Sequence, residues 1–239
     1  MIKNLIYIIK VLAVVIVTIA DSFIVLFNTT FRPKKYNFTK HYRNWAGRVL
    51  AVCRVKLKVI GSEHLQESET YIFASNHASM FDIPIVFKGI PKPIRIIYKK
   101  ELENVPLFGW QLKKSEFIGI IRDDPRKSMQ SLEEAVELIK QNLNVIIFPE
   151  GTRSKDGKVA EFKRGAFMLA SKSGKPIVPV TITKSFEISP PGRWIVEPLE
   201  VRLIIHPPVY YNPNLNKAEE KELMERVRDI VISGFNEAN

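Results

Sequence analysis

From residue 55 onward, short apolar runs alternate with turns and with stretches of helical periodicity. Seven runs rich in β-branched residues predict strands, at residues 55–60, 71–75, 94–98, 116–120, 145–148, 177–181 and 201–206. Between the fourth and fifth runs, Asp124 and Pro125 favour the start of a helix with one apolar face, and a last helix is predicted over 217–235. This order predicts a single α/β domain over residues 54–239, with a mixed, largely parallel central sheet flanked by helices.

Residues 1–53 follow a different pattern, typical of a membrane-associated segment. Between residues 5 and 31 only Lys10 and Asp21 carry a charge, and residues 38–53 place apolar side chains along one helical face. We therefore predict an N-terminal two-helix membrane anchor in front of the α/β domain. The side chains expected to contact lipid are Val11, Ile16, Phe23, Phe27 and Trp45.

The two uncharged windows, residues 11–20 and 22–31, would each form about 15 Å of helix, which is half of the hydrocarbon thickness of a bilayer. A single helix that spans the membrane would place Asp21 in the bilayer at a cost of about 3 kcal/mol. Arg32, Lys34 and Lys35 would attract an anionic leaflet. We expect peripheral, monotopic attachment at the cytoplasmic face of the cell membrane; a single-pass helix, or packing on the protein's own core or on a second subunit, is the alternative.

Charge and composition narrow the class of partner. Lys and Arg number 36 against 25 Asp and Glu, a net charge of +11, which favours nucleic acid, an anionic membrane or phosphorylated substrates. The apolar N-terminal segment suits an anionic phospholipid membrane better, so we expect no nucleic-acid partner. A single cysteine, Cys53, excludes an intramolecular disulfide, and with only four histidines and no H-E-x-x-H motif we predict no metal site.

The main candidate for chemistry is the stretch of residues 75–82, directly after the second predicted strand. His77 and Asp82 have the residue types of a general base and the carboxylate that orients it. On a continuous helix, five residues turn through about 500°, so these side chains would point about 140° apart. A turn between His77 and Asp82 is therefore required if they are to act together.

Cations follow three other predicted strands. Lys100 follows the third strand, Arg122 the fourth, and residues 150–154 the fifth. Ligands of α/β sheets bind beyond the carboxyl ends of the strands, so these residues form a candidate phosphate site. Taken singly, Lys100 and Arg122 also fit solvated surface cations, Glu150 a cap and Gly151 a plain turn.

Taken together, four blocks resemble the ordered motifs of the glycerolipid acyltransferases. They are residues 76–82, with the His-x4-Asp pattern, and residues 117–122, 148–154 and 178–180. The resemblance covers roughly residues 55–210 and is strongest to the bacterial 1-acyl-sn-glycerol-3-phosphate (lysophosphatidic acid) acyltransferases. It implies a glycerol-3-phosphate acyltransferase-like fold.

The resemblance also implies a reaction. An acyl group would pass from an acyl-CoA or acyl carrier protein thioester to the 2-hydroxyl of lysophosphatidic acid, giving phosphatidic acid in phospholipid biosynthesis. His77 would be the base and Asp82 its orienting partner, with no acyl-enzyme and no bound cofactor. The alternatives are another lysophospholipid or glycerol 3-phosphate as acceptor, or a non-catalytic peripheral membrane protein.

The remaining blocks receive roles by the same resemblance. Arg153 is the first choice for the substrate phosphate, followed by Lys100 and Arg122, with the loop shaped by Glu150, Gly151 and Thr152. The apolar fourth block would pack in the core or line an acyl-chain channel, and it comprises Val178, Pro179 and Val180.

Overall fold

The computed structural model describes residues 2–32, 36–121, 125–193, 195–213 and 215–236. All seven predicted strands are present, and each lies within two residues of its predicted bounds at either end. The strands are β1 Lys56–Ile60, β2 Ile72–Ser75, β3 Ile94–Lys99, β4 Ile118–Ile120, β5 Asn144–Ile147, β6 Ile177–Ile182 and β7 Glu200–Ile205. The helices are α1 Ile2–Phe31, α2 Phe38–Cys53, α3 Asp82–Gly89, α4 Phe108–Lys114, α5 Pro125–Lys140, α6 Arg164–Ser173, α7 Ser185–Ile188 and α8 Lys217–Asn236.

The strands form one seven-stranded sheet in the order β1-β7-β6-β2-β5-β3-β4. From β6 to β4 all neighbours are parallel, whereas β6 and β7 are antiparallel. The prediction of a mixed, largely parallel sheet is therefore confirmed. Because β2, β3, β5 and β6 run in the same direction, the loops that follow them emerge at one edge of the sheet, where a site would lie.

The sheet separates two hydrophobic cores, and the side chains of β2 alternate between them. Tyr71 and Phe73 pack in the core that contains α2 and α3, whereas Ile72 and Ala74 pack in the core that contains α5, α6 and α8. All four β2 residues are buried, which is typical of a central strand with both faces covered. The loop after β2 therefore begins at a strand that is packed on both faces.

Helix α1 is one continuous helix of 30 residues, long and apolar enough to cross a membrane by length and composition. Lys10 and Asp21 point toward the domain: Lys10 Nζ donates to the carbonyl of Val196 at 2.9 Å, and Asp21 pairs with Arg48 and lies 3.2 Å from His41 Nε2. The outward face is apolar.

Three of the five predicted lipid contacts lie on this outward face, since the exposed fractions of Ile16, Phe23 and Phe27 are 66%, 56% and 55%. The other two residues differ. Val11 and Trp45 are partly buried and pack against the core, and Trp45 Nε1 also donates to Thr18 Oγ1 at 3.2 Å.

Helix α2 does not present its apolar stripe outward as an interfacial helix would. Tyr42, Val49, Leu50 and Cys53 are buried in the core shared with α3. The two-helix anchor is therefore not confirmed, and the outward apolar surface of this region belongs to α1. An amphipathic pattern indicates that one face of a helix is removed from water. It does not distinguish packing against a protein core from contact with lipid.

We predict that Gly89→Ala destabilises the protein by about 1–3 kcal/mol, because a methyl group there overpacks the core. Gly89 ends α3, and a Cβ atom at this position would lie 2.3 Å from Leu203 Cδ2 and 3.4 Å from Leu57 Cδ2. The free energy of unfolding in urea measures the change.

Gly165→Ala is the matched control. Its Cβ atom would have Leu132 Cδ1 as nearest neighbour at 3.8 Å, and alanine favours the helical conformation by up to about 1 kcal/mol. This variant should be as stable as the wild type or more so. Equal stability of Gly89→Ala and wild type would contradict the packing assigned to α3.

Candidate functional site

His77 and Asp82 are in direct contact. His77 Nδ1 lies 2.7 Å from Asp82 Oδ2, because the chain turns through residues 78–81 before Asp82 begins α3. The turn that the sequence requires is therefore present. The imidazole and the carboxylate are brought together at the carboxyl end of the central strand β2.

The Asp82 carboxylate is fully buried and is held by three donors on one oxygen. Besides the His77 ring, Oδ2 accepts hydrogen bonds from the backbone N–H groups of Ala78 and Ser79, both at 2.8 Å. Among the described residues, Oδ1 has no hydrogen-bond partner. Both backbone N–H groups donate to Oδ2, so this oxygen acts as a hydrogen-bond acceptor.

Because Oδ2 accepts from these two N–H groups, the ring nitrogen that contacts it acts as a third donor, so a neutral His77 ring carries its proton on Nδ1. The lone pair then lies on Nε2, the nitrogen that a general base uses. The His77 side chain retains 18% of its surface exposed, whereas Asp82 retains none, so only the histidine is accessible to a substrate.

The loop after β5 holds the backbone of His77 from both sides. His77 N–H donates to Glu150 Oε1 at 2.6 Å, and the His77 carbonyl accepts from Ser154 N–H at 2.7 Å. The imidazole also stacks on the Phe148 ring, with 4.2 Å between centroids. The first and third sequence blocks therefore form one structural unit.

Glu150 holds this loop from within. It is buried, and its second oxygen accepts from Ala160 N–H at 3.0 Å, so both oxygens bind backbone donors. Burial raises the pKa of Glu150, while the N–H groups of Ala160 and His77 oppose the shift. Glu150 therefore positions His77 by accepting its backbone N–H.

Asn76 fixes the other side of the same loop. Its amide Nδ2 donates to the Ile182 carbonyl at 3.0 Å, and its Oδ1 accepts from Ile182 N–H at 2.8 Å. The loop after β2 is thereby joined to the end of β6. No role was predicted for Asn76 or Phe148, although they lie in the blocks of residues 76–82 and 148–154. For Asn76, a side-chain amide directly before the candidate base was a sequence feature that indicated a positioning role.

The predicted phosphate residues lie at the same edge of the sheet. Arg153 and Thr152 are exposed in the loop after β5, and Lys100 is exposed at the start of a short 3₁₀ helix after β3. Gly151 adopts φ +74°, a conformation that favours glycine. Arg122 lies outside the described residues.

An apolar cavity of about 140 Å³ lies between α3 and the helices α2 and α4. Ile83, which directly follows Asp82, lines it together with Phe87, Ile96 and Phe117. The three residues of the fourth block do not line it.

These three residues form the interior of β6. Val178 and Val180 are fully buried in the core shared with α2 and α3, and Pro179 is paired with Ala74 of β2. Of the two predicted roles, the structure places this block in core packing.

Other catalytic devices are missing from the described part of the chain. It contains no group of three or more His, Cys, Asp or Glu side chains that could hold a metal ion. Cys53 is buried in α2, and burial raises the pKa of its thiol to about 11, which makes it a poor nucleophile. The arrangement is suited to proton transfer at His77.

Comparison with known proteins gives a consistent family. The family model described as Acyltransferase matches residues 56–183. A 1-acyl-sn-glycerol-3-phosphate acyltransferase of Brassica napus, BAT2, chloroplastic, is 34% identical over 84% of this chain and 57% of its own length. The 1-acyl-sn-glycerol-3-phosphate acyltransferase of Pseudomonas aeruginosa is 31% identical over 70% of this chain and 63% of its own length.

A solved structure extends the similarity to almost the whole chain. The 1-acyl-sn-glycerophosphate (LPA) acyltransferase PlsC from Thermotoga maritima has a TM-score of 0.83 and 30% sequence identity, and the match covers 99% of this chain and 95% of that one. The present chain spans 57% and 63% of the two curated relatives described above. The chain belongs to the acyltransferase family.

Proposed function

We propose that this protein transfers an acyl group from a thioester to the 2-hydroxyl of 1-acyl-sn-glycerol 3-phosphate, which yields phosphatidic acid. The observation that carries the proposal is the 2.7 Å contact between His77 Nδ1 and the buried Asp82 carboxylate. Relatives named for this activity, including the structural neighbour from Thermotoga maritima, support the choice of acceptor.

The reaction requires one proton acceptor and no covalent enzyme intermediate. Nε2 of His77 takes the proton of the 2-hydroxyl while its oxygen attacks the thioester carbonyl carbon. The C–O bond forms, the C–S bond breaks, and the imidazolium returns its proton to the departing thiolate. Asp82 stabilises the imidazolium between these steps, and a positioned base of this kind supplies typically about 10²–10⁴-fold in rate.

Arg153 and Lys100 are the residues that we assign to the acceptor's phosphate. They follow β5 and β3, which are adjacent parallel strands, so both lie on the same side of β2 and of the base. An arginine donates two parallel hydrogen bonds to a phosphate, and a lysine adds a second positive charge. No cofactor is needed; an acyl-CoA or acyl carrier protein thioester is the co-substrate.

The apolar cavity beneath α3 is the place that we assign to an acyl chain. Its lining by Ile83, Phe87, Ile96 and Phe117 is apolar, and Ile83 directly follows Asp82 in the chain. A cavity of about 140 Å³ holds part of a chain, so its depth would set a length preference. This assignment replaces the fourth block as the channel wall.

We propose that residues 1–53 hold the protein on an anionic phospholipid membrane at its cytoplasmic face, as a peripheral protein, and that residues 54–239 carry out the reaction. The outward face of α1 is apolar, and α1 packs against α4, which exposes Trp110. Met80, between His77 and Asp82, is exposed as well. Together with the net charge of +11, this favours an active-site entrance that faces lipid.

His77→Ala should lower kcat by about 10²–10⁴-fold with acyl-CoA and lysophosphatidic acid, because the general base is removed. Release of the free thiol measures the rate on purified protein. The matched control is His64→Ala, since His64 lies in a separate 3₁₀ helix and its ring, among the described residues, hydrogen-bonds to the Ile205 carbonyl and not to the site. Near-native activity of folded His77→Ala protein would refute the proposed mechanism.

Arg153→Ala should raise KM for lysophosphatidic acid about 10- to 100-fold with little change in kcat, because a charged hydrogen bond to a phosphate contributes about 1.5–3 kcal/mol. Lys155→Ala, on the same exposed loop, is the control and should leave KM within about twofold. If KM for lysophosphatidic acid stays unchanged while KM for another lysophospholipid rises, the acceptor has been assigned wrongly.

The paired change Phe23→Asp and Phe27→Asp should lower binding to vesicles that contain anionic phospholipid by at least about 10-fold, because two apolar contacts with lipid are replaced by negative charges. Flotation of the vesicles measures the bound fraction. Met129→Asp on α5 is the control, since Met129 is also exposed but belongs to the opposite face of the sheet. Equal loss in the control, or no loss in the pair, would argue against α1 as the membrane surface.

A further inference from the structure

A second cavity, of about 290 Å³, lies on the other side of the loop that carries His77. Asn76 and Ala78, the two neighbours of His77 in sequence, form part of its wall. The remaining wall comes from residues 156–158, from residues 182–187 at the end of β6, and from Phe235 of α8. No step of the reaction described so far uses this cavity.

The strand order shows how the second cavity lies relative to His77 and to the residues assigned to the acceptor phosphate. β5 and β3, which are followed by Arg153 and Lys100, lie on one side of β2, and β6 lies on the other. His77, at the end of β2, therefore lies between Arg153 and Lys100 on one side and the cavity wall of residues 182–187 on the other, while residues 156–158 close the wall from the loop after β5. A transfer reaction between two substrates needs such an arrangement, because both must reach one base.

The loop that forms the cavity wall is fixed to the base. Ser154 N–H donates to the His77 carbonyl at 2.7 Å, and Asp156 Oδ1 accepts from Ser154 Oγ and from Lys158 N–H. Gly157 has φ +83°, and a Cβ atom there would lie 3.1 Å from the Phe186 ring. Glycine thus permits the loop to close against β6 and to define the cavity.

The lining has two chemical parts. Phe186 and Phe235 provide apolar surface, while Lys158 and Lys184 are exposed lysines that supply positive charge. Glu187 and Asp156 also line the cavity, and Asp156 is engaged in the hydrogen bonds of its own loop. A ligand with an uncharged, partly apolar arm and a terminal phosphate matches this distribution.

We propose that the second cavity binds the pantetheine arm of the acyl donor, with Lys158 and Lys184 contacting the phosphate groups at the end of the arm. The inference rests on the proposed acyl transfer and deepens it. The arm would bring the thioester carbonyl to His77 from the side of β6, opposite the acceptor phosphate. Coenzyme A and acyl carrier protein both carry a phosphorylated pantetheine, so this chemistry applies to either source.

The test uses the full chain and a graded series of thioesters with one acyl group. N-acetylcysteamine thioesters lack most of the arm, pantetheine thioesters have the arm without phosphate, and acyl-CoA and acyl carrier protein have both. The variant is Lys158→Gln combined with Lys184→Asn, because residue 184 has φ +58°, which asparagine tolerates. The matched control is Lys140→Gln combined with Lys221→Gln, two exposed lysines outside the cavity.

The double variant should raise KM about 10-fold or more for acyl-CoA, for acyl carrier protein or for both, and the donor whose KM rises identifies the source of the arm. KM for the N-acetylcysteamine and pantetheine thioesters and for lysophosphatidic acid should stay within about twofold. A second variant, Phe235→Trp, adds volume to the wall and should raise KM for the pantetheine thioester but not for the N-acetylcysteamine thioester.

Two results would overturn the inference while leaving the acyl transfer intact. One is an active double variant with unchanged KM for both phosphorylated donors, and the other is an equal rise in KM for all four donors. Absence of acyl transfer by the wild type with every donor would instead refute the proposed function.

Discussion

The interaction on which the site depends is the set of three hydrogen bonds on Asp82 Oδ2. One comes from the His77 ring and two come from the N–H groups of Ala78 and Ser79, so a single buried oxygen fixes both the imidazole and the turn that carries it. A carboxylate removed from water is costly unless such donors replace its hydration. All three donors come from residues 77–79, within the same turn. The site therefore depends on the geometry of this turn and not on a long-range ion pair. Glu150 completes the arrangement by holding the His77 backbone.

The fold places this turn at the centre of one edge of the sheet, where cations and two cavities surround it. Cations follow the strands on one side of β2, a second cavity follows β6 on the other, and an apolar cavity lies beneath α3. In the proposed function α1 faces lipid: its residues Lys10 and Asp21 bind groups within the protein, and apolar side chains such as Phe23 and Phe27 remain outside. An amphiphilic acceptor in a membrane and a water-soluble donor can thus meet at one base.

The strands and the His–Asp motif were predictable because each depends on local pattern: β-branched runs bounded by turns, and a motif of fixed spacing. The sequence pattern could not predict whether an amphipathic helix turns its apolar face to the protein core or to the outside. Trp45 was expected to contact lipid and packs inward, since periodicity shows that a face is covered without showing what covers it. Glu150 was expected near the phosphate, and its actual partners, His77 and Ala160, are 73 and 10 residues away in sequence. Contacts of that kind follow from the strand order, which the sequence does not specify.

The central claim is that His77 Nδ1 donates to Asp82 and leaves Nε2 as the base. Nitrogen NMR on protein with labelled histidine tests it most directly, because it shows which ring nitrogen carries the proton. The variant His77→Gln assigns the His77 signals. If Nδ1 of His77 donates to Asp82 Oδ2, neutral His77 carries its proton on Nδ1, and Asp82→Asn should shift the ring to a different tautomer mixture. A His77 ring that carries its proton on Nε2 in the wild-type protein would contradict the account, because the nitrogen that faces the substrate would then have no lone pair to accept a proton.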